Sequence, residues 1–363
     1  MKIIKTHSSQ IIMSNPDSKH RYFAWPTVAR LQNGKIAVVA SGFRLRHVCP
    51  FGKTVIAYSE DDGESYTAPA PVIDTPLDDR DGGVVPFGKS NVIVTSFNHN
   101  SAFQRTKTDI SEYSLAYLDT VTPEDEERYL GSTFRISHDC GVTFGEIKKS
   151  PIFSPHGPLE LPDGTLLWVG RNYIPKNTSI TGKDCISAYR LDEDGNFELL
   201  GEIENVTAED GTELLSCEPH SILLEDGRIL THIRVQKKTK EEEPMLTIYQ
   251  SISSDSGKTW SKPQRLLPLM GGSPPHIIRH SSGVLICTYG YRSRPYGIRA
   301  MFSYDNGKTW DTSGYEIWQG INWDLGYPST VELNDGSLAT VFYAWQDENI
   351  PAVIMQQKWR FEK

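Results

Sequence analysis

Long hydrophobic runs are missing from this chain. Nowhere in its 363 residues is there an apolar stretch of membrane-spanning length, so a membrane partner is not expected. The opening Met1-Lys-Ile-Ile-Lys-Thr-His7 also has no apolar run of signal-peptide length. A cytoplasmic protein is expected, or a secreted one if a leader precedes Met1. Positive charge is short as well: Lys and Arg number 37 against 46 Asp and Glu, a net charge of −9. That excludes binding to nucleic acid or to an anionic membrane through bulk charge. Any cationic site must be local, made from a few placed arginines. Cysteine is scarce: Cys49, Cys140, Cys185, Cys217 and Cys287 are odd in number and form no C-x-x-C. Neither a disulfide framework nor a zinc site is indicated, and buried thiols in a reducing compartment are the plain reading. Nor is there a linker. The 29 Gly and 22 Pro are scattered, which suits many short strands and turns in one domain over residues 1–363.

What the chain does have is repetition. Ser303-Tyr-Asp305-Asn-Gly307-Lys-Thr-Trp310 reads S-x-D-x-G-x-x-W, and Ser253-Ser-Asp255-Ser-Gly257-Lys-Thr-Trp260 repeats it. Looser copies run from Ser59 to Tyr66 and from Ser137 to Phe144. In each, Ser and Asp side chains satisfy turn backbone, Gly takes a positive φ, and the aromatic folds back as an anchor. A second repeat precedes the octapeptides: two apolar runs joined by Asn-Gly, Asp-Gly or an equivalent. Copies start at Pro26, Pro155, Pro219, Pro275 and Pro328, with a degenerate one at Gly83. Such hairpins at intervals of about 50 to 70 residues predict an all-β fold, a six-bladed β-propeller of four-stranded blades. The octapeptides would join the third and fourth strands. Blade three keeps a remnant at Leu191-Asp-Glu-Asp-Gly195. The N-terminal strand, near residues 3–12, would close blade six against residues 353–359. The stretch 98–130 reads as an irregular excursion from blade two that either walls a site or is simply solvated. The charged run 237–243 reads as a solvated hairpin tip.

In a propeller the loops at the ends of the innermost strands form the channel mouths, so residues there are candidates for chemistry. Glu218 opens one such strand and Arg234 ends its hairpin partner, which returns both to one rim. A plain salt bridge is the alternative. The segment 289–299 packs Arg292, Arg294 and Arg299 among Tyr289, Tyr291 and Tyr296. Guanidinium groups recognise a carboxylate through a planar two-pronged fork. Tyr327 stands at the start of the last innermost strand. Tyrosine is a poor nucleophile at its ordinary pKa near 10, but a neighbouring carboxylate can take its proton, and Glu218 is the natural partner. His156, His220 and His276 each follow a Pro at the start of an axial strand. They could bind sugar hydroxyls, supply an acid or base, hold a metal, or simply be satisfied inside the rim.

These residues give a specific resemblance. The octapeptides resemble the Asp-boxes, or BNR repeats, of the sialidase (neuraminidase) superfamily. Glu218, the Asp226-Gly227 turn and Arg234 match its Glu, hairpin and Arg. Arg299 before the last octapeptide matches a further Arg, and Gly326-Tyr327-Pro328-Ser-Thr-Val-Glu-Leu resembles the nucleophile segment. The resemblance covers essentially the whole chain. It implies a retaining, exo-acting glycoside hydrolase that releases a terminal acidic sugar, sialic acid first, with no cofactor and with a carbohydrate as partner. Tyr327 would be the nucleophile, Glu218 its base, and Arg234 and Arg299 the carboxylate clamp, with Tyr291 and the three histidines as further sugar contacts. Sialidases are exceptions to the two-carboxylate glycosidase pattern in using Tyr.

Two positions depart from the family. Its opening F/Y-R-I-P is Phe23-Ala24-Trp25-Pro26 here, so an arginine is missing. Arg44 and Arg21 are the expected substitutes, with Arg46 behind them. The loop 45–53 lacks the family's acid/base Asp. Asp81 is the expected acid and Asp79 the second candidate, turn-capping being the alternative role for either. The same fold tuned to a uronic acid or another nonulosonic acid, and a carbohydrate-binding propeller without catalysis, stay open as alternatives.

Overall fold

The computed structural model describes residues 1–172, 184–208, 210–237, 246–268, 271–272 and 274–362. Six antiparallel sheets form a six-bladed β-propeller. Blade one is Tyr22–Arg30, Ile36–Arg44, Lys53–Ser59 and Ala70–Ile73. Blade two is Arg80–Phe87, Asn91–Phe97, Ser132–Ser137 and Lys148–Ser150. Blade three has a broken inner strand, Ile152–Phe153 and Leu159–Glu160, paired with Leu166–Asn172. Blade four starts at Leu215–Leu223, blade five at Pro275–Arg279 and blade six at Gly326–Glu332. Blade six ends in Val353–Glu362, and two N-terminal strands, Lys2–Lys5 and Gln10–Met13, pair with its two halves.

The repeats have a common physical basis. In the inner hairpins the Gly N–H donates back across the turn: Gly34 to Leu31, Gly227 to Leu224, Gly336 to Leu333. In each octapeptide the Gly N–H donates to the Ser hydroxyl four residues earlier, at 2.8 Å for Ser59 and 2.9 Å for Ser137, Ser253 and Ser303. The Asp carboxylate accepts the backbone N–H four residues later, at 2.8 Å in Asp305 to Thr309. All four octapeptides join the third and fourth strands of their blades. Cores form between neighbouring blades, as where Val28, Val38 and Ala40 meet Val341 and Ile354. Each such aliphatic side chain contributes roughly 1.5–3 kcal/mol on burial.

Residues 98–130 are not irregular. Three short helices lie there, Ser101–Arg105, Glu112–Leu118 and Pro123–Tyr129, with N-caps Asn100, Ser111 and Thr122. Asp125 completes a capping box with Thr122, and Pro123 sits in the first turn, where its missing N–H costs nothing. Gln104 of the first helix donates to buried Asp78 at 2.7 Å, which ties the excursion to the propeller mouth. All five cysteines are free thiols. Among the described residues no helix is long and apolar enough to cross a membrane. Lys237 ends the described part of blade four's second hairpin, and the rest of the charged run 237–243 lies outside the described residues.

Candidate active site

The innermost strands carry an unusual backbone feature. Trp25, Asp81, Glu218 and Tyr327 have φ of 56°, 46°, 49° and 49°, a left-handed conformation that costs a non-glycine residue energy. Each lies where its strand breaks register with the next one. The bulge turns one side chain out of the ladder in four of the six blades and aims all four at one end of the axis. Sequence shows this only indirectly, in the Pro or Gly that follows each of the four.

Tyr327 and Glu218 meet across the axis. The Tyr327 hydroxyl donates to Glu218 Oε1 at 2.7 Å. Arg234 donates from Nη1 to Glu218 Oε2 at 2.6 Å and reaches the Tyr327 hydroxyl at 3.4 Å. Its Nε and Nη2 are held by Gln236 Oε1 at 3.0 and 2.7 Å, which fixes the guanidinium plane. Burial, then the charges of Glu218 and Asp81, push the Tyr327 phenol well above 10, so it is neutral and a donor. Burial alone would weaken the Arg234 charge, but Glu218 beside it holds the guanidinium protonated.

Asp81 is buried at this cluster, 3% exposed, with Oδ1 lacking a hydrogen-bond partner. Burial, opposed by Arg80 and reinforced by Glu218, raises its pKa to about 7. Asp79 does not face the cluster. Its carboxylate accepts Thr75 N at 2.6 Å and Thr75 Oγ1 at 2.9 Å, a turn cap. Burial carries its pKa to about 7 as well.

The arginines differ from expectation. Arg44 has no exposed surface. It pairs with buried Asp78 at 2.6 Å and donates to Ser41 Oγ and to His47 O. It is a structural ion pair behind the site rather than a substitute ligand. Arg21 is exposed and lines a different cleft with Lys19, Trp345 and Glu348. Arg299 lies in the middle of a strand, its guanidinium 3.6 Å from the centre of the Tyr291 ring and bonded to Pro295 O. That contact occupies Tyr291 too, so neither joins Glu218 and Tyr327. Arg292 does so instead. It donates to Leu325 O and to the Tyr343 hydroxyl, both at 2.9 Å, and lies 5.7 Å from the Tyr327 ring centre. Arg80 stacks on Trp25 at 3.9 Å, so the ring that stands beside the missing arginine carries a cation from blade two.

His156, His220 and His276 come together, but below the cluster. Their ring centres are 4.4 to 5.5 Å apart, closing the axis. His220 Nδ1 accepts Ile277 N, His276 Nδ1 accepts Thr330 N, and His156 Nδ1 meets Thr27 Oγ1. Burial lowers all three pKa values, so the rings are neutral. Their Nδ1 atoms are taken up by inter-blade bonds, while the buried His156 Nε2 has no hydrogen-bond partner. Among the described residues no group of His, Cys, Asp and Glu has metal-holding geometry.

Above Trp25, on the solvent side, stands a network that sequence reading missed. Asp324 accepts from Tyr22 at 3.0 Å, Trp345 Nε1 at 2.8 Å and His47 Nδ1 at 3.0 Å. Burial would raise the Asp324 pKa, but the His47 and Trp345 bonds and the Arg292 charge hold it below the usual value. A cleft of about 480 Å³ opens beside the cluster, lined by Phe97, His99, Phe153, Arg171, Glu218 and Arg234 among others.

Comparisons with known proteins agree on architecture. No family model and no curated protein matches the sequence. Among solved structures, the chain is similar to a protein of unknown function from Dyadobacter fermentans (TM-score 0.74, 17% identity, 99% of each chain). It is similar to the NanB sialidase from Streptococcus pneumoniae (TM-score 0.69, 14% identity, 97% of this chain and 71% of that one). It is also similar to the α-L-arabinofuranosidase Arb93A from Fusarium graminearum (TM-score 0.64, 11% identity, 98% of each). The chain is a six-bladed β-propeller with the sialidase-like fold.

Proposed function

We propose that this protein is a retaining, exo-acting glycoside hydrolase that releases a terminal acidic sugar, with sialic acid the first candidate. One observation carries the reading: a buried tyrosine hydroxyl donating to a carboxylate at 2.7 Å, with Arg234 and Arg292 on either side. A structural tyrosine needs no base behind it. Tyr327 would attack the anomeric carbon as Glu218 takes the phenolic proton. A neutral nucleophile suits a sugar whose own carboxylate adjoins that carbon, since an anionic one would be repelled. Arg234 and Arg292 would bind that carboxylate, and a cleft that shares Glu218 and Arg234 opens beside them. Asp81, protonated below about pH 7, would donate a hydrogen bond to the sugar.

A second reading keeps this chemistry and changes the sugar. Trp25, with Arg80 stacked on it, stands where the family has its first arginine, and this is the observation behind a uronic acid or another nonulosonic acid as the alternative. A propeller that binds carbohydrate without cleaving it is the third reading, and a cleavage assay separates it from the other two. The test is hydrolysis of an aryl α-sialoside beside aryl uronides and neutral aryl glycosides, by wild type and by Tyr327→Phe. Turnover of an acidic glycoside, lost on the order of 10³-fold or more in the variant, is expected. Release of the product first as the substrate's own anomer, seen by NMR, would show retention. Turnover that survives Tyr327→Phe would end the proposal.

A further inference from the structure

We infer that His47, oriented by Asp324, is the acid/base that protonates the leaving group. The inference rests on the glycosidase reading above and concerns the half of the reaction that the Tyr327–Glu218 pair does not perform. In an exo-acting enzyme the sugar points to the floor and the aglycone to solvent. The proton donor must therefore stand on the solvent side of the nucleophile. Asp81 is only 3% exposed. The His47 side chain is 38% exposed at the rim. Its ring lies edge-on to Trp25 at 5.0 Å, and Trp25 lies 6.4 Å from Tyr327. The exposed Trp323 flanks it on the outer side at 6.3 Å.

The wiring is that of a general acid/base. Tyr22 donates its proton to Asp324, so its oxygen is free to accept, and His47 Nδ1–H points at both Asp324 Oδ1 and that oxygen, at 3.0 Å each. Asp324 is held in turn by Trp345 and by the Tyr343 hydroxyl at 3.3 Å. With Nδ1–H committed to a carboxylate, Nε2 is the nitrogen that exchanges protons, and no hydrogen bond from it is formed among the described residues. The loop backbone is fixed as well: His47 O accepts from Arg44 at 3.1 Å and from Arg80 at 2.9 Å.

The step balances. Tyr327 Oη bonds to the anomeric carbon as the bond to the aglycone oxygen breaks. The electron pair goes to that oxygen, which takes the His47 Nε2 proton, while the phenolic proton goes to Glu218. In the second half, neutral His47 takes a proton from water, the hydroxide oxygen bonds to the anomeric carbon, and Tyr327 leaves and recovers its proton from Glu218. His47 acts as acid only when doubly protonated. Burial and the charges of Arg80 and Arg292 lower its pKa below 6.5 against the pull of Asp324. Tyr22, Asp324, Arg44, Arg80 and Arg292 are the titratable and charged groups that face it.

The experiment compares two glycosides of whichever sugar the wild type cleaves, one with a 4-nitrophenyl aglycone and one linked to a second sugar. A nitrophenolate leaves without a proton, and a sugar alkoxide does not. His47→Gln is expected to lower kcat/KM by about 10²–10⁴-fold on the sugar-linked substrate and by less than about tenfold on the nitrophenyl one. Wild-type kcat/KM on the sugar-linked substrate should fall as pH rises through the His47 pKa, a limb absent from His47→Gln. Residual nitrophenyl turnover shows that the variant is folded. Equal losses on both substrates, no loss on either, or aglycone-dependent loss in Asp81→Asn instead of His47→Gln would overturn the assignment while leaving Tyr327 as nucleophile. Survival of turnover in Tyr327→Phe would overturn the reading beneath it, and this inference with it.

Discussion

At the scale of single residues, the site is surrounded by buried charge that must be paired. Arg44 and Asp78 have no exposed side-chain surface. Replacing Arg44 with Met leaves the Asp78 carboxylate with Arg80 at 3.3 Å and Gln104 at 2.7 Å, a weaker set. A loss of about 3–5 kcal/mol is expected, read as a lower midpoint in chemical denaturation. Asp81 and Asp79 each have a folded pKa of about 7, above the ordinary 3.8. A raised carboxyl pKa means the folded state holds the proton more tightly than the unfolded state does. That contribution is full below about pH 4 and lost as pH rises through 7. Asp81→Asn should therefore flatten the fall in Tm between pH 5 and 8 by part of its slope, since Asp79 remains; an unchanged slope would count against a buried, protonated Asp81. How much of the site could be read beforehand follows from chain geometry. Glu218 and Arg234 were legible as a pair because they end the two strands of one hairpin. Arg292 and Arg299 were not separable, because both lie in one arginine-rich segment. Only the folded chain shows the strand residue stacked on Tyr291 and the loop residue turned toward blade six. His47 gave no signal, since its partner Asp324 is far away in sequence.

At the scale of elements, each octapeptide is a turn that carries its own hydrogen-bond partners. Ser303 Oγ accepts the buried Gly307 N–H and donates to Asp305 at 2.9 Å. Ser303→Ala orphans that N–H and should cost about 1–3 kcal/mol, against a change within about 0.5 kcal/mol for Lys308→Ala on the same turn. Equal thermal shifts for the two would show that the turn is held by neighbouring blades instead. The fold was legible at this scale because Asn-Gly and Asp-Gly between apolar runs fix hairpin register locally. The helices at 101–129 were overlooked for the opposite reason. They are only five to seven residues long, too short to display a helical period, and their clearest marks are caps such as Thr122-Pro123-Glu124-Asp125. Blade three's broken inner strand was equally hidden, since its Pro-led sequence resembles the others.

At the scale of the whole molecule, closure depends on the two N-terminal strands. Lys2 pairs with Glu362 and Gln10 with Gln356, so together they cover the last strand. Deleting residues 1–13 exposes that strand's edge. The truncated protein should form concentration-dependent aggregates by light scattering under conditions where the full chain stays monodisperse. The same circular plan has another effect. Because the imidazoles of His156, His220 and His276 meet on the axis, the propeller is not a tube. Whatever enters from the Tyr327 side meets a dead end and must back out by the way it came. A glycan cannot be threaded through, so for the exo-acting enzyme proposed above mid-chain units would be out of reach however long the polymer. For an enzyme acting as proposed, the effective substrate concentration is a count of chain tips. A branched glycan would then be processed faster, gram for gram, than a linear one.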